Sequence, residues 1–239
     1  MNRIVITSVV GTIAAAALVV GAGAPAFAST SNSNPSAKTT RTLESVQTAA
    51  KTATDKRERA LSAAIAKLDV AKGISASDKA TLVDRLNADL AGMKAIEAKI
   101  AADTTVVAAS ADLKTVYTTY RVFGVAIPQA HIVADIDRAT SIEIPKLTAS
   151  QTKLAAMLAG KDAAKSTAAL QADLADMTKQ IAAANTELSG ASAKALAITP
   201  TDYNSNKTVV KSVRASVKTA MSDLKQARTD RKAILAALK

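Results

Sequence analysis

The last stretch of the chain, Asn204 to Lys239, constrains the fold most, because its apolar residues keep a seven-residue period to the end. With Val210 at heptad position a, the a positions hold Val210, Val217, Leu224, Arg231 and Leu238, and the d positions hold Val213, Ala220, Ala227 and Ile234. Such a stripe is left wet on an isolated helix, so the stretch calls for a coiled-coil-like neighbour along its length. At about 1.5 Å per residue, a helix over this stretch extends about 54 Å.

The rest of the chain supplies such neighbours. It is alanine-rich, with apolar residues three and four apart, which is the helical period. Leu43, Val46, Ala50, Ala53, Leu61, Ile65 and Leu68 mark a first helix that Gly73 can end. Ser75 with Asp78 resembles a capping box and opens a second helix along Val83, Leu86, Leu90, Met93, Ile96 and Ile100. A third unit runs from about Asp103 to Leu158 and contains Pro128 and Pro145. Proline is tolerated at a helix start and disruptive inside, so the spacing predicts a break between Gly124 and Pro128 and a kink at Pro145. A fourth helix follows on Leu170, Leu174, Met177, Ile181, Ala184 and Leu188, closed by Gly190 or Pro200. The expected architecture is all-α: an elongated antiparallel bundle of four to five long helices, with the third unit broken near Pro128, forming a single domain over residues 41–239.

Two N-terminal segments stand apart. Residues 1–28 read as a secretory signal: Asn2-Arg3, an apolar run from Ile4 to Val20, and Ala26-Phe27-Ala28 as a cleavage site. Residues 29–40 are Ser, Thr, Asn, Pro and Lys with almost nothing apolar, the composition of a flexible spacer. Cleavage after Ala28 predicts a product that is secreted or loosely associated with the cell wall, without a transmembrane segment. The chain has no cysteine, so neither a disulfide framework nor a lipid-modified cysteine can hold it. Self-association is compatible with the pattern.

Catalytic patterns are missing. One histidine cannot make an H-E-x-x-H zinc motif, cysteine nucleophiles are absent, and neither a G-x-S-x-G elbow nor a phosphate-binding glycine loop occurs. His131 and Asp135 share the i, i+4 spacing of two metal ligands, but a zinc site needs more. Asp135-x-Asp137 fails as a calcium loop, with Ala139, Thr140 and Lys146 where Asp or Asn, Gly and Glu are required. The expectation is a non-enzymatic protein with no cofactor and no metal.

Two constellations remain. From Tyr203 to Lys239 there are nine basic residues and two acidic ones. Lys211, Lys218, Lys225, Lys232 and Lys239 occupy every b position, Lys207, Arg214 and Arg228 fall at e, and Asp223 and Asp230 lie across the seam at g. This basic flank either keeps the helix soluble against acidic neighbours or attracts a polyanion, such as an anionic wall polymer or anionic lipid. Aromatic residues for base stacking are missing from it, which disfavours nucleic acid. The second constellation is Val116 to Arg138, where Tyr117, Tyr120 and Phe123 fall on one helical face with Leu113, Val116 and Ile127. These aromatics are expected in the core; the alternative is a small-molecule or lipid carrier whose pocket is lined by Tyr117, Tyr120, Phe123 and His131.

The segment YRVFGVAIPQAHIVADIDR, followed downstream by AITPTDYN and a basic alanine-rich last helix, resembles a group of exported all-helical proteins of unknown function from Gram-positive-type bacteria. The resemblance implies a helical fold and export, and it brings no functional residues with it. The sequence therefore reads as a structural or interaction protein of the bacterial surface.

Overall fold

Each helix needs a way to begin, and five of them begin alike. The computed structural model describes residues 41–239; the expected signal segment 1–28 and spacer 29–40 lie outside these. Among the described residues the elements are α1 (Leu43–Val70), α2 (Ala76–Ala102), α3 (Val106–Thr118), α4 (Ile127–Arg138), α5 (Ile144–Ala159), α6 (Ala168–Leu188), α7 (Ala191–Ala197), α8 (Pro200–Ser205) and α9 (Val209–Ala237), with no strand. Thr42, Ser75, Thr105, Thr167 and Thr199 precede α1, α2, α3, α6 and α8, and each side-chain oxygen accepts the N–H three residues on. Each cap satisfies a donor that the first helical turn leaves free.

The Ser75 cap departs from the expected box. Ser75 Oγ accepts from the Asp78 N–H at 3.1 Å, but the Ser75 N–H donates to Asp137 Oδ2 of α4 at 2.9 Å. The Asp78 carboxylate accepts instead from the Ser192 hydroxyl of α7 at 2.6 Å. A local cap has become a clasp between three helices.

Packing is organised in two groups of three. α1 and α2 run antiparallel: Gln47 near the start of α1 donates to the Ile100 carbonyl at the end of α2, and Lys51 meets Glu97 at 3.2 Å. α3 packs on both. Leu61, Leu82, Leu86, Met93, Ile100 and Val116 are fully buried here. Further along, α6 and α9 are antiparallel, with Lys165 before α6 donating to the Leu238 carbonyl at 2.7 Å, and α5 packs against both. The heptad residues Val210, Val217, Ala220, Leu224, Ala227 and Ile234 are buried in that group. α4 touches α1 and α2 as well as α7 and α9, so it joins the two groups.

The expected break between Gly124 and Pro128 lies earlier. α3 ends at Thr118, Arg121 turns the chain in the left-handed region at φ 45°, and helical backbone then continues from Val122 through Pro128 and Pro145 to Ala159. Both prolines follow a π turn, 122–126 and 139–143, in which Ile127 and Ile144 donate five residues back to the carbonyls of Val122 and Ala139. A proline lacks the N–H and crowds the carbonyl of the turn before it; a wider turn there accommodates it without ending the helix.

The last helix is also shorter than its heptads predict. It starts at Val209 because the Asn206 side chain accepts from the Thr208 N–H at 2.9 Å, a local turn that competes with helix. Tyr203 belongs to the separate short α8, and Lys207 lies in the turn between them. No helix among the described residues is long and apolar enough to cross a membrane.

Candidate functional site

The helix α9 turns its apolar seam toward α6 and α5, which leaves its b positions facing outward. Lys211, Lys218, Lys225 and Lys232 are all exposed, as are Arg214, Lys207 in the preceding turn and Lys239 just beyond the helix end. Among the described residues none of these seven forms an ion pair. Arg228 differs: it is half-exposed and ion-paired with Glu143, which also meets Arg138 Nε at 3.6 Å. The acids of α9 point elsewhere. Asp230 is buried, accepts from Gln226 at 2.8 Å, and has its carboxyl pushed up by that burial, with Asp176 and Asp173 of α6 adding to the rise.

The aromatic segment is split by the turn at Arg121. With the helix interrupted there, Leu113, Val116, Tyr117, Tyr120, Phe123 and Ile127 no longer share a face, and Tyr117 and Phe123 are 44% and 45% exposed rather than buried in the core. They line a groove of about 220 Å³ with Arg57, Arg121 and Tyr203. Arg57 is buried between the rings, its guanidinium 4.4 Å from the Tyr117 centroid and 5.3 Å from that of Phe123. It donates to the Ala53 carbonyl at 2.8 Å; burial lowers its basicity and the Tyr117 hydroxyl opposes that effect. Arg121 lies 5.5 Å from the Tyr203 centroid, and Lys56 5.7 Å from that of Phe123. Three cations and three aromatic rings thus meet where the backbone is least regular.

Tyr120 turns the other way, toward a cavity of about 330 Å³ between α2, the π turn at 122–126 and the α7–α8 connection. Leu82, Leu86, Val125, Ala126 and Ile198 give it apolar walls, and Asp89, Arg85, Gln129 and Thr199 add polar groups. Gln129, itself buried, donates to the carbonyls of Ala195 at 2.6 Å and Ile198 at 3.1 Å. The Arg85 guanidinium donates to the Leu196 carbonyl, and Gln129 Oε1 stands 3.5 Å from it. Burial alone raises the Asp89 carboxyl to about 6. His131 is exposed on α4, so the four residues expected around one pocket are divided: Tyr117 and Phe123 to the groove, Tyr120 to the cavity, His131 to the surface. Asp135, its i, i+4 neighbour, is exposed as well, and no cluster of three His, Asp or Glu suited to a metal ion occurs among the described residues.

Periodicity alone did not single out Arg57 or Asp89, yet each carries a signal in the sequence. Arg57 stands four residues from both Ala53 and Leu61, and Asp89 stands between Leu86 and Met93 at helical spacing. A charge inside an apolar stripe is the mark of a buried polar function or a buried liability. Comparison with protein-family models, curated proteins and solved structures finds no match for this chain.

Proposed function

We propose that the protein is an exported, non-enzymatic interaction protein of the bacterial surface that holds an anionic envelope polymer against the outer flank of α9. The observation that carries this reading is the row of seven exposed cations, Lys207, Lys211, Arg214, Lys218, Lys225, Lys232 and Lys239, none ion-paired among the described residues. A flank serving only to match acidic neighbours would be expected to meet them. Here the α6 acids Asp173 and Asp176 stand by Asp230 on the other side of the seam. Successive b positions rise about 10 Å along the helix, a spacing close to the screening length of physiological salt, so the charges act jointly on an extended anion and weakly on a small one.

The test is binding of immobilised poly(glycerol phosphate) by the mature protein and by the quadruple variant K211Q/K218Q/K225Q/K232Q. Lysine and glutamine have similar helix propensity, so the variant isolates charge from folding. The wild type binds in low salt and releases as salt rises, and the variant does not bind. Full binding by a variant with an intact helical spectrum would overturn the reading.

A second reading is supported by the Tyr120 cavity, whose volume of about 330 Å³ is at the lower end of the about 300 to 1,000 Å³ of small-molecule sites. On that reading the protein carries a small ligand between α2 and the α7–α8 connection. The two readings use different faces and are compatible.

A further inference from the structure

Arg85 and Asp89 are four residues apart on α2, a spacing at which opposite charges ordinarily meet on a helix surface. They form no ion pair. The Arg85 guanidinium is drawn away to the Leu196 carbonyl, and Gln129 fixes the connection that presents that carbonyl through its bonds to Ala195 and Ile198. Asp89 is left partly buried on the cavity wall, and no neighbouring charge offsets the effect of burial on its carboxyl. Pairing with Arg85 was available at no change of sequence, yet the fold spends that arginine on a backbone carbonyl.

An unpaired carboxylate on an apolar wall is costly as a purely structural element, and a cation entering the cavity would offset that cost. The rest of the lining suits the remainder of such a ligand. Leu82, Leu86, Val125 and Ile198 supply aliphatic walls, and Tyr120 supplies a ring face. Tyr120 is held close over Gly92, where any side chain would strike its ring, so this wall is set in place by packing. Two charges line this apolar cavity, Arg85, whose guanidinium is held on the Leu196 carbonyl, and Asp89, which leaves the carboxylate as the group free to fix a ligand's orientation by an ionic contact.

We propose that this cavity binds a small ligand with a protonated amine on an apolar body, its ammonium on the Asp89 carboxylate and its body between Leu82, Leu86, Tyr120 and Val125. The proposal rests on the carrier reading and adds the chemical class of the ligand to it.

The probes are 4-phenylbutylamine and the corresponding alcohol, 4-phenylbutan-1-ol, titrated calorimetrically into the mature protein at pH 7.5. The variants are Asp89→Asn, which removes the charge at constant shape, and Ala88→Phe, at the exposed rim of the cavity, which fills it. Helical spectra and unfolding midpoints establish that each variant is folded. The amine should bind at least about tenfold more tightly than the alcohol, about 1.4 kcal/mol. Asp89→Asn should bring the amine to the level of the alcohol, and Ala88→Phe should weaken both. Equal binding of amine and alcohol, both lost in Ala88→Phe, overturns the ammonium assignment and leaves the carrier reading standing. An amine preference that survives Asp89→Asn overturns the assignment to this carboxylate. Absence of binding by either probe at millimolar concentration overturns the inference and the carrier reading together.

Discussion

The guanidinium of Arg57 stacks over the ring of Tyr117 with 4.4 Å between its central carbon and the ring centroid. The contact explains how α1 keeps a charge in its apolar stripe: the arginine is buried, and the rings of Tyr117 and Phe123 shield it while remaining nearly half exposed themselves. Their truncation should therefore cost less than loss of a core aromatic. Phe123→Ala is expected to destabilise by about 1 to 2 kcal/mol, below the ~3 to 5 kcal/mol of a fully buried ring. Tyr117→Ala should cost about 1 to 2 kcal/mol, mainly through the lost cation–π contact and the wetting of Arg57. Urea unfolding of both variants measures this; a loss above 3 kcal/mol for Phe123→Ala would contradict the exposure.

Gly92 and Tyr120 make a second coupled pair. A Cβ at Gly92 would come within 2.7 Å of Tyr120, although the position is interior to α2, where alanine is favoured over glycine by about 1 kcal/mol. Gly92→Ala should lower the unfolding midpoint in the native background. In a Tyr120→Ala background the same change should raise it. A double-mutant cycle reads the difference, and additivity of the two changes would show that the ring is free to move aside.

Asp89 gives a pH signature. Its folded-state value of about 6 lies above the ordinary carboxylate value of 3.8, so between these limits the folded protein binds more protons than the unfolded chain. Its contribution to stability is greatest below pH 3.8 and is lost as pH rises through 6. Asp89→Asn should thus stabilise the protein at pH 7.5 by about 1 kcal/mol, a figure reduced for the water that reaches the carboxylate, and the gain should shrink toward pH 4. Arg85 and Tyr120, the other titratable side chains lining the cavity, remain in both proteins. Chemical denaturation across that pH range checks the sign.

Glu143 is the carboxylate that both Arg228 and Arg138 meet. Glu143→Gln releases two cations beside the basic flank. Affinity for poly(glycerol phosphate) in low salt should rise about threefold, at a stability cost below about 1 kcal/mol for these partly exposed pairs. Unchanged affinity would show that the e side of α9 takes no part in binding.

Apolar spacing marks the inward faces of the long helices, since Leu86, Met93, Ile100, Leu154, Leu158, Met177, Leu188 and Ile234 are all buried as their spacing requires, but the short α7 and α8 have too few turns to show a stripe of their own. It placed the wrong face outward where the helix changes register. The aromatic stripe assumed one uninterrupted α-helix from Leu113 to Ile127, and a single left-handed residue at Arg121 separates Tyr117 from Phe123. Proline is the residue that breaks helices, but here the backbone strain gathers at Arg121, which no local propensity marks. The cavity was illegible for a different reason. Its lining comes from α2, the 122–126 turn and the α7–α8 connection, segments up to 118 positions apart between Leu82 and Pro200. Spacing within one helix carries no information about such a meeting; only Asp89, a charge out of place in its own stripe, hinted at it.

Each π turn before a proline is equivalent to one extra residue in an α-helix, and one residue is about 100° of rotation. The two insertions at 122–126 and 139–143 therefore act as phase shifters along a single rod. The segment between them packs on α1, α2 and α7 and also reaches α9, and the segment beyond packs on α6 and α9. A rod of constant pitch would keep offering the same side. By slipping one residue at a time, the chain re-aims its sticky side from α1, α2 and α7 toward α6 while its backbone stays helical from Val122 to Ala159.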